Sequence, residues 1–373
     1  MAKRHYKVLG MMSGSSLDGL DIAACSFELN DENPELVWAL EAGQTLPFSA
    51  EWQSRLRQLP QAPALQFART HCDFGHYCAE LLDQFLAAHP FAADFIASHG
   101  HTVFHYPAEW RLTVQIGDGA ALAARSGLPV ICDFRTQDTA LGGQGAPLAP
   151  IADRLLFGNY DFYLNLGGIA NISAQIADRT IAFDIGGANQ VLNALAALRG
   201  LEYDAEGALA AQGQVLPELL ASVDQLPYFT SPWPKSLDNQ WVQEQIIPHY
   251  LNYSASVEDR LRTACEQLAR QLVLSIRQIK QQEQLAQPSY RLLATGGGAM
   301  NDFLMERLRE HCRAEQVEIV LPQAHIIAYK EALLMALMGV LRLENRSNCL
   351  QSVTGSARDA IGGAIYQGHT KMI

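Results

Sequence analysis

The sequence is poor in basic charge: 27 lysines and arginines face 39 aspartates and glutamates, leaving a net charge of −12 and a pI near 5.4. Nucleic acid and anionic membrane surfaces are not attracted to such a chain, so neither is an expected partner. Cysteine is sparse and unpatterned, seven residues with no Cys-x-x-Cys pair, which excludes a disulfide framework and points to reduced thiols. The one cluster of metal-binding residue types is His71, Cys72, His76 and Cys78. On the helix expected there, Cys72 and His76 share one face while His71 and Cys78 lie on another, so four ligands do not converge and ordinary helix packing is the reading. Long apolar runs are missing too, and no segment is expected to span a bilayer. The N-terminal Met1-Ala2-Lys3-Arg4-His5-Tyr6-Lys7 has the charge of a secretory leader, but the apolar stretch behind it stops at Ser13, too short for a leader's apolar core. A cytoplasmic protein is expected.

What is present is enough apolar material, 49% of 373 residues, to fill two domains of roughly 150 to 200 residues each. The chain is organised around its first glycine-rich turn, Leu9-Gly10-Met11-Met12-Ser13-Gly14-Ser15-Ser16-Leu17-Asp18-Gly19, between two apolar runs that read as strands. Gly14 and Gly19 are able to take the positive φ of a compact turn, and lacking a Cβ they let a phosphate approach the backbone amides. Ser13, Ser15 and Ser16 add hydroxyl donors. Asp18 would repel phosphate unless a divalent cation such as Mg²⁺ stands between the two. From this stretch alone two readings stand, a nucleotide-phosphate loop and a polar hairpin turn.

Further on, residues 35–40 read as a third strand, 64–89 as a long amphipathic helix, and 94–98 as a short strand ending in His99-Gly100-His101-Thr102. Strand 113–116, helix 120–124 and strand 128–132 follow and lead to Asp133-Phe134-Arg135, an α/β layout of a mixed sheet with helices on its faces. Beyond the loop Gly142-Gly143-Gln144-Gly145-Ala146-Pro147-Leu148 the early pattern begins again: a strand over 162–166, the turn Gly167-Gly168, a strand over 172–176, and a third over 180–183 running into Asp184-Ile185-Gly186-Gly187. A hairpin-plus-strand unit that occurs twice suggests two similar sheets facing each other across a cleft, each offering a glycine turn to a shared ligand. A long helix over 257–284 precedes strand 290–295, which opens into Gly296-Gly297-Gly298, where a phosphate or flat ring could lie against backbone and helix N-terminus. Strand 317–321 and an apolar helix over 331–343 follow; the small residues of that helix allow close packing, and its Met and Leu residues are core filling.

Together these segments resemble the anhydro-N-acetylmuramic acid kinases, members of the sugar kinase, heat-shock 70 and actin superfamily. Met12-Ser13-Gly14-Ser15-Ser16-Leu17-Asp18-Gly19 is similar to that family's Met-Ser-Gly-Thr-Ser-Leu-Asp-Gly phosphate loop. The likeness runs on, in order, through Ser98-His99-Gly100-His101-Thr102, Thr113-Val114-Gln115-Ile116-Gly117, Asp133-Phe134-Arg135, the loop at 142–148, Asn165-Leu166-Gly167-Gly168, Phe183-Asp184 and Gly296-Gly297-Gly298. Three departures stand out: Ser15 in place of Thr, His101 in place of Gln, and Leu237-Asp238-Asn239-Gln240 after Pro234-Lys235-Ser236, where the family continues Thr-Gly-Arg-Glu.

The resemblance implies a two-domain actin-like (ribonuclease H-like) α/β fold with the nucleotide and substrate cleft between the domains. One domain covers residues 1–133 with part of the tail, about 355–373, and the other 134–354. It implies ATP and 1,6-anhydro-N-acetylmuramic acid as substrates, N-acetylmuramic acid 6-phosphate as product, a place in murein recycling, and a homodimer. Ser13, Gly14, Ser15, Ser16, Leu17, Asp18, Gly19 and Leu20 would hold the β- and γ-phosphates, with Mg²⁺ linked to Asp18 through water. Gly167 and Gly168 would face them, and Gly296, Gly297 and Gly298 would lie near the adenosine. His99, Thr102, Arg135 and Gln144 would bind the sugar. Arg135 suits the sugar carboxylate or the transferring phosphoryl group, because its planar fork pairs with either; an ion pair with Asp133 or Asp138 is the structural alternative. Asp184 would be the base that activates water. A helix N-cap is the alternative there.

Overall fold

The computed structural model describes residues 3–14, 17–30, 33–158, 160–177, 179–233 and 235–369. The chain divides into two compact units, one of Met1–Gly158 with Tyr329–Ile373, the other of Asn159–Ala328. In chain order the first unit supplies β1 (Arg4–Ser13), β2 (Gly19–Asn30), β3 (Asn33–Pro47), β4 (Phe95–Tyr106), β5 (Leu112–Ile116) and β6 (Val130–Cys132). The second supplies β7 (Phe162–Leu166), β8 (Ile169–Ile176), β9 (Arg179–Gly187), β10 (Tyr290–Thr295) and β11 (Val317–Val320), and the chain closes in the first unit with β12 (Ala364–Tyr366).

The duplicated pattern in the sequence is a duplicated topology. In the first unit β3, β2 and β1 form an antiparallel meander and β1 is joined by parallel β4 and β6; in the second, β9, β8 and β7 form the meander and β7 is joined by parallel β10 and β11. The first sheet adds β12 antiparallel to β6, and β5 antiparallel to the far end of β4. Each unit is therefore an actin-like (ribonuclease H-like) α/β domain. β4 is much longer than the strand expected over 94–98. It continues through Gly100, which takes φ +74°, where an added Cβ would lie 2.3 Å from the Ile116 carbonyl oxygen of β5. Only glycine fits there.

Helices cover each sheet for reasons visible in their residues. Helix Ala64–Ala88 buries Phe74, Cys78, Leu81, Leu82 and Phe85 at helical spacing on the first sheet. Helix Ala324–Leu343 departs from helical geometry at Tyr329 (φ −117°), and from Ala332 to Val340 it is wholly buried. It packs close because Gly10 faces it: a Cβ on Gly10 would lie 1.9 Å from the Ala332 carbonyl oxygen. The boundaries expected at 133 and 354 both fall inside the first unit. Helix Ala149–Leu156 is held there by the Trp38 indole donating to the Leu156 carbonyl at 3.1 Å, and by a buried ion pair of Lys330 and Asp153 at 2.7 Å. In the second unit, helix Val257–Gln282 begins at Ser256, whose Oγ accepts from the Asp259 amide, with Glu258 and Asp259 in its first turn and Lys280 in its last. Cap and charges both favour that helix direction. Its Leu261, Cys265, Leu268, Leu272 and Ile276 join the core. Among the described residues, no helix is long and apolar enough to cross a membrane.

Candidate active site

The first unit carries the phosphate-loop residues. Ser13 ends β1, 2% exposed, with its Oγ 3.0 Å from Nδ1 of His101. Gly14 is half-exposed and Asp18 exposed, while Leu17 and Leu20 are buried in the core, so Leu20 offers a ligand only its backbone. Ser15 and Ser16 lie outside the described residues. Among the described residues of the loop Leu17 is left-handed, at φ +61°, whereas Gly19 does not take the positive φ open to it. Gly19 is required by crowding instead: a Cβ would lie 2.4 Å from the Leu46 carbonyl oxygen of β3. The Asp18 Oδ1 accepts from the Gly19 amide at 3.0 Å.

Beside this loop lie Asp21, one strand further, and Glu331. Burial lifts the Asp21 carboxyl to about 6, with the charges of Asp18 and Glu331 adding to the shift. Glu331 is also pushed up by its surroundings, with Arg135 and Lys330 pulling the other way. These carboxylates are hard oxygen donors of the kind Mg²⁺ takes, yet among the described residues no three acidic, histidine or cysteine groups converge on one point. That arrangement suits a cation that keeps its waters and shares phosphate oxygens rather than an all-protein cage.

Arg135 pairs with neither aspartate that the sequence offered it. Its Nε donates to Nε2 of His99 at 2.8 Å and its Nη1 to the Gly145 carbonyl at 2.6 Å. Asp138, fully buried, spends its oxygens on the Gly145 amide and the Thr354 hydroxyl, and Asp133 accepts from Thr136. Arg135 thus has no carboxylate at ion-pair distance among the described residues, although the charge of Glu331 acts on it, and its Nη2 is unspent. His99 is the device that aims it. Receiving a proton donor at Nε2, the ring carries its own hydrogen on Nδ1 and gives it to the Gly100 carbonyl at 3.0 Å. Burial, helped by the Arg135 charge, pushes its pKa down to about 3, so it stays neutral. Both ring nitrogens are spent within the protein. Thr102 is exposed, its hydroxyl accepting from Gln115 at 3.2 Å, and the exposed Gln144 is pinned by its amide to the Thr354 carbonyl at 2.9 Å.

The second unit brings its two glycine segments together around Asn189. The carbonyls of Gly167 and Gly168 accept from the amides of Asn189, Ala188 and Gln190 at the start of helix Asn189–Ala196. Gly296, at φ +85°, lies so close to Asn165 and Leu166 that a Cβ would meet them at 2.8 Å, and Gly298 packs on Leu166 and Asn189. Gly297 opens a 3₁₀ turn, Gly297–Met300. The following helix is capped by Asn301, whose Oδ1 accepts from the Leu304 amide at 2.9 Å, so the glycine run does not itself form that helix N-terminus.

Asp184 sits within β9, opposite Asn171 of β8. It caps nothing, because helix Asn189–Ala196 begins at Ala188 without a side-chain cap. Its Oδ2 accepts from the Ser236 hydroxyl at 3.0 Å and the Leu237 amide at 2.8 Å, and its carbonyl accepts from the Tyr228 hydroxyl at 2.8 Å. Oδ1 has no partner among the described residues. Burial raises the carboxyl above its ordinary range against those two hydrogen bonds. A carboxylate fixed by one oxygen, free at the other and more basic than usual is suited to take a proton from water. Sequence reasoning missed Asp21, next to the loop in the chain, and Glu331, which only folding brings near it. It also missed the part of Ser236 and Leu237, although the Pro234-Lys235-Ser236 motif marked their segment.

The comparisons agree with this geometry. The profile of the family described as Anhydro-N-acetylmuramic acid kinase matches residues 6–368. A protein of that name from Hydrogenovibrio crunogenus is 33% identical over 375 residues, covering 96% of this chain and 97% of its own. Its namesake from Vibrio cholerae is 33% identical over 98% of this chain and 99% of its own, and that from Haemophilus influenzae 35% identical over 98% of each. With a family match over 6–368 and relatives a third identical along nearly their whole length, the chain belongs to the anhydro-N-acetylmuramic acid kinase family.

Proposed function

We infer that the protein phosphorylates 1,6-anhydro-N-acetylmuramic acid with ATP while water opens the anhydro bridge, giving N-acetylmuramic acid 6-phosphate and ADP. O6 of this sugar is an ether oxygen with no proton to remove, so an ordinary sugar-kinase base has nothing to do there. The proton must come from water. Asp184 Oδ1 takes it as the water oxygen bonds to C1, the C1–O6 bond breaks, and the freed O6 attacks the γ-phosphorus with ADP leaving. The observation that carries this reading is the half-tethered Asp184, held at Oδ2 and open at Oδ1.

The remaining assignments follow from charge. Phosphoryl transfer passes through a loose transition state, so the protein's task is positioning and neutralisation. The backbone from Ser13 to Leu20 would hold the β- and γ-phosphates, Gly167 and Gly168 would supply a second turn, and Gly296 to Gly298 would lie against the adenosine. Asp18 would hold Mg²⁺ through water, and the cation would supply positive charge to offset that of the phosphate oxygens. Arg135, with no carboxylate at ion-pair distance among the described residues, is a ready anion binder, and His99 keeps its fork in place. Thr102 and Gln144 present exposed polar groups to the sugar. A cytoplasmic place in murein recycling, and a homodimer, complete the proposal. Incubating the purified protein with ATP and Mg²⁺ and each of the anhydro-sugar, glucose and glycerol tests it. ADP release and a mass gain of one phosphoryl group (HPO₃) plus one water are expected with the anhydro-sugar alone; phosphorylation of glucose or glycerol instead would refute the reading.

A further inference from the structure

The segment that tethers Asp184 carries two donors that the protein leaves unspent. Lys235 donates to the Tyr228 carbonyl at 3.2 Å and sits 4.8 Å above the Tyr228 ring. It has no carboxylate partner among the described residues. An ammonium has three hydrogens to give, and only one is used here. Two residues earlier, Trp233 stacks parallel to Phe183, the neighbour of Asp184, at a 3° interplanar angle, and its Nε1–H is buried with no acceptor. Buried polar groups are normally satisfied, so such a donor asks for a missing partner. The third reporter is Tyr228 itself: Lys235 lies over its ring, and its hydroxyl reaches the Asp184 carbonyl. The ammonium therefore stands over a ring whose hydroxyl is bonded to the backbone of the base.

A muramyl sugar differs from a glucosaminyl one by the lactyl ether on O3, which ends in a carboxylate. C3 is two bonds from C1, so a sugar whose anomeric carbon faces Asp184 carries that carboxylate within a ring width of it. Resting on the function inferred above, we propose that Lys235, with Trp233 as a second donor on the same segment, is the subsite for the lactyl carboxylate and sets the preference for muramyl over glucosaminyl anhydro-sugars. Burial lowers the Lys235 pKa in the free protein, a cost that an arriving carboxylate would relieve. Arg135 is then left to the transferring phosphoryl group.

The test is equilibrium binding by calorimetry of 1,6-anhydro-N-acetylmuramic acid, 1,6-anhydro-N-acetylglucosamine and ATP to wild type, Lys235→Met, Lys235→Arg and Trp233→Phe, beside steady-state kinetics. Wild type should favour the muramyl sugar by about tenfold or more, the size of one charge-assisted hydrogen bond. Lys235→Met should bring the two sugars within about twofold by weakening the muramyl one alone, Lys235→Arg should restore most of the preference, and Trp233→Phe, which keeps the stack on Phe183, should cost about threefold. ATP affinity should not move. An unchanged preference in Lys235→Met, an equal loss for both sugars, or a loss confined to ATP would each overturn the subsite. Turnover of the anhydro-muramyl sugar by wild type with any of those results would leave the inferred reaction standing and sink only this assignment.

Discussion

Replacing Asp184 by Asn isolates one function of one oxygen. The amide is isosteric: its carbonyl can occupy the Oδ2 position and accept from the Ser236 hydroxyl and Leu237 amide, now 3.0 and 2.8 Å away. Its NH₂ falls where Oδ1 was, and that group has no lone pair for a proton. Ground-state contacts survive while the base is lost, so kcat should drop by about 10²- to 10⁴-fold, the usual contribution of general-base catalysis, with ATP affinity unchanged. The pH dependence carries a sign. Wild type needs the ionised carboxylate, so kcat/KM should rise with pH through a value above the ordinary aspartate range near 4, and Asp184→Asn should flatten that limb. Stability should move the other way. A carboxyl whose pKa is higher folded than unfolded makes the fold most stable below its unfolded value, and stability falls as pH rises to the folded one. At pH 7 the charge is therefore a cost, and Asp184→Asn should melt at or above the wild-type temperature. Coupled ADP release, a pH–rate series and thermal melts check all three. Turnover within threefold of wild type, or an unmoved acid limb, would refute the reasoning.

Arg135→Lys should behave almost as Arg135→Ala, losing about 10²-fold in kcat/KM, since an ammonium cannot span both His99 Nε2 and the Gly145 carbonyl; steady-state kinetics of the two variants decide. Asp153→Asn should destabilise the first unit by about 3–5 kcal/mol, because it breaks a buried ion pair from one side, and denaturant unfolding should show a lower midpoint; an unchanged midpoint would refute it. Asp21 should titrate near pH 6 by NMR in the free protein. Asp18→Asn should shift that titration downward by removing a neighbouring negative charge.

The topology was legible because it rests on local apolar patterning. β7 and β10 fall where the sequence put them, at Phe162–Leu166 and Tyr290–Thr295, and the repeated hairpin became two meanders of the same order. Strand β4 was misjudged for a physical reason. Its apolar run stops at Ser98, before polar His99-Gly100-His101-Thr102, yet the pairing with β5 supplies the hydrogen bonds and close backbone contact that propensity cannot foresee. The same limit governs the active site. Sequence could name Asp184 and Arg135, and it could pose the alternatives of a helix cap and an ion pair. Deciding between them required knowing where Ser236, Leu237, Gly145 and His99 come to lie, residues 52, 53, 10 and 36 positions away from their partners. Such long-range hydrogen bonds leave no period in the chain. What the fold adds, then, is less a list of reactive groups than their unspent valences: one oxygen of Asp184, one nitrogen of Arg135 and the hydrogens of Lys235. Chemistry is possible at those atoms because the partners beside them, Ser236, Leu237, His99 and Gly145, are already committed and hold each group in place.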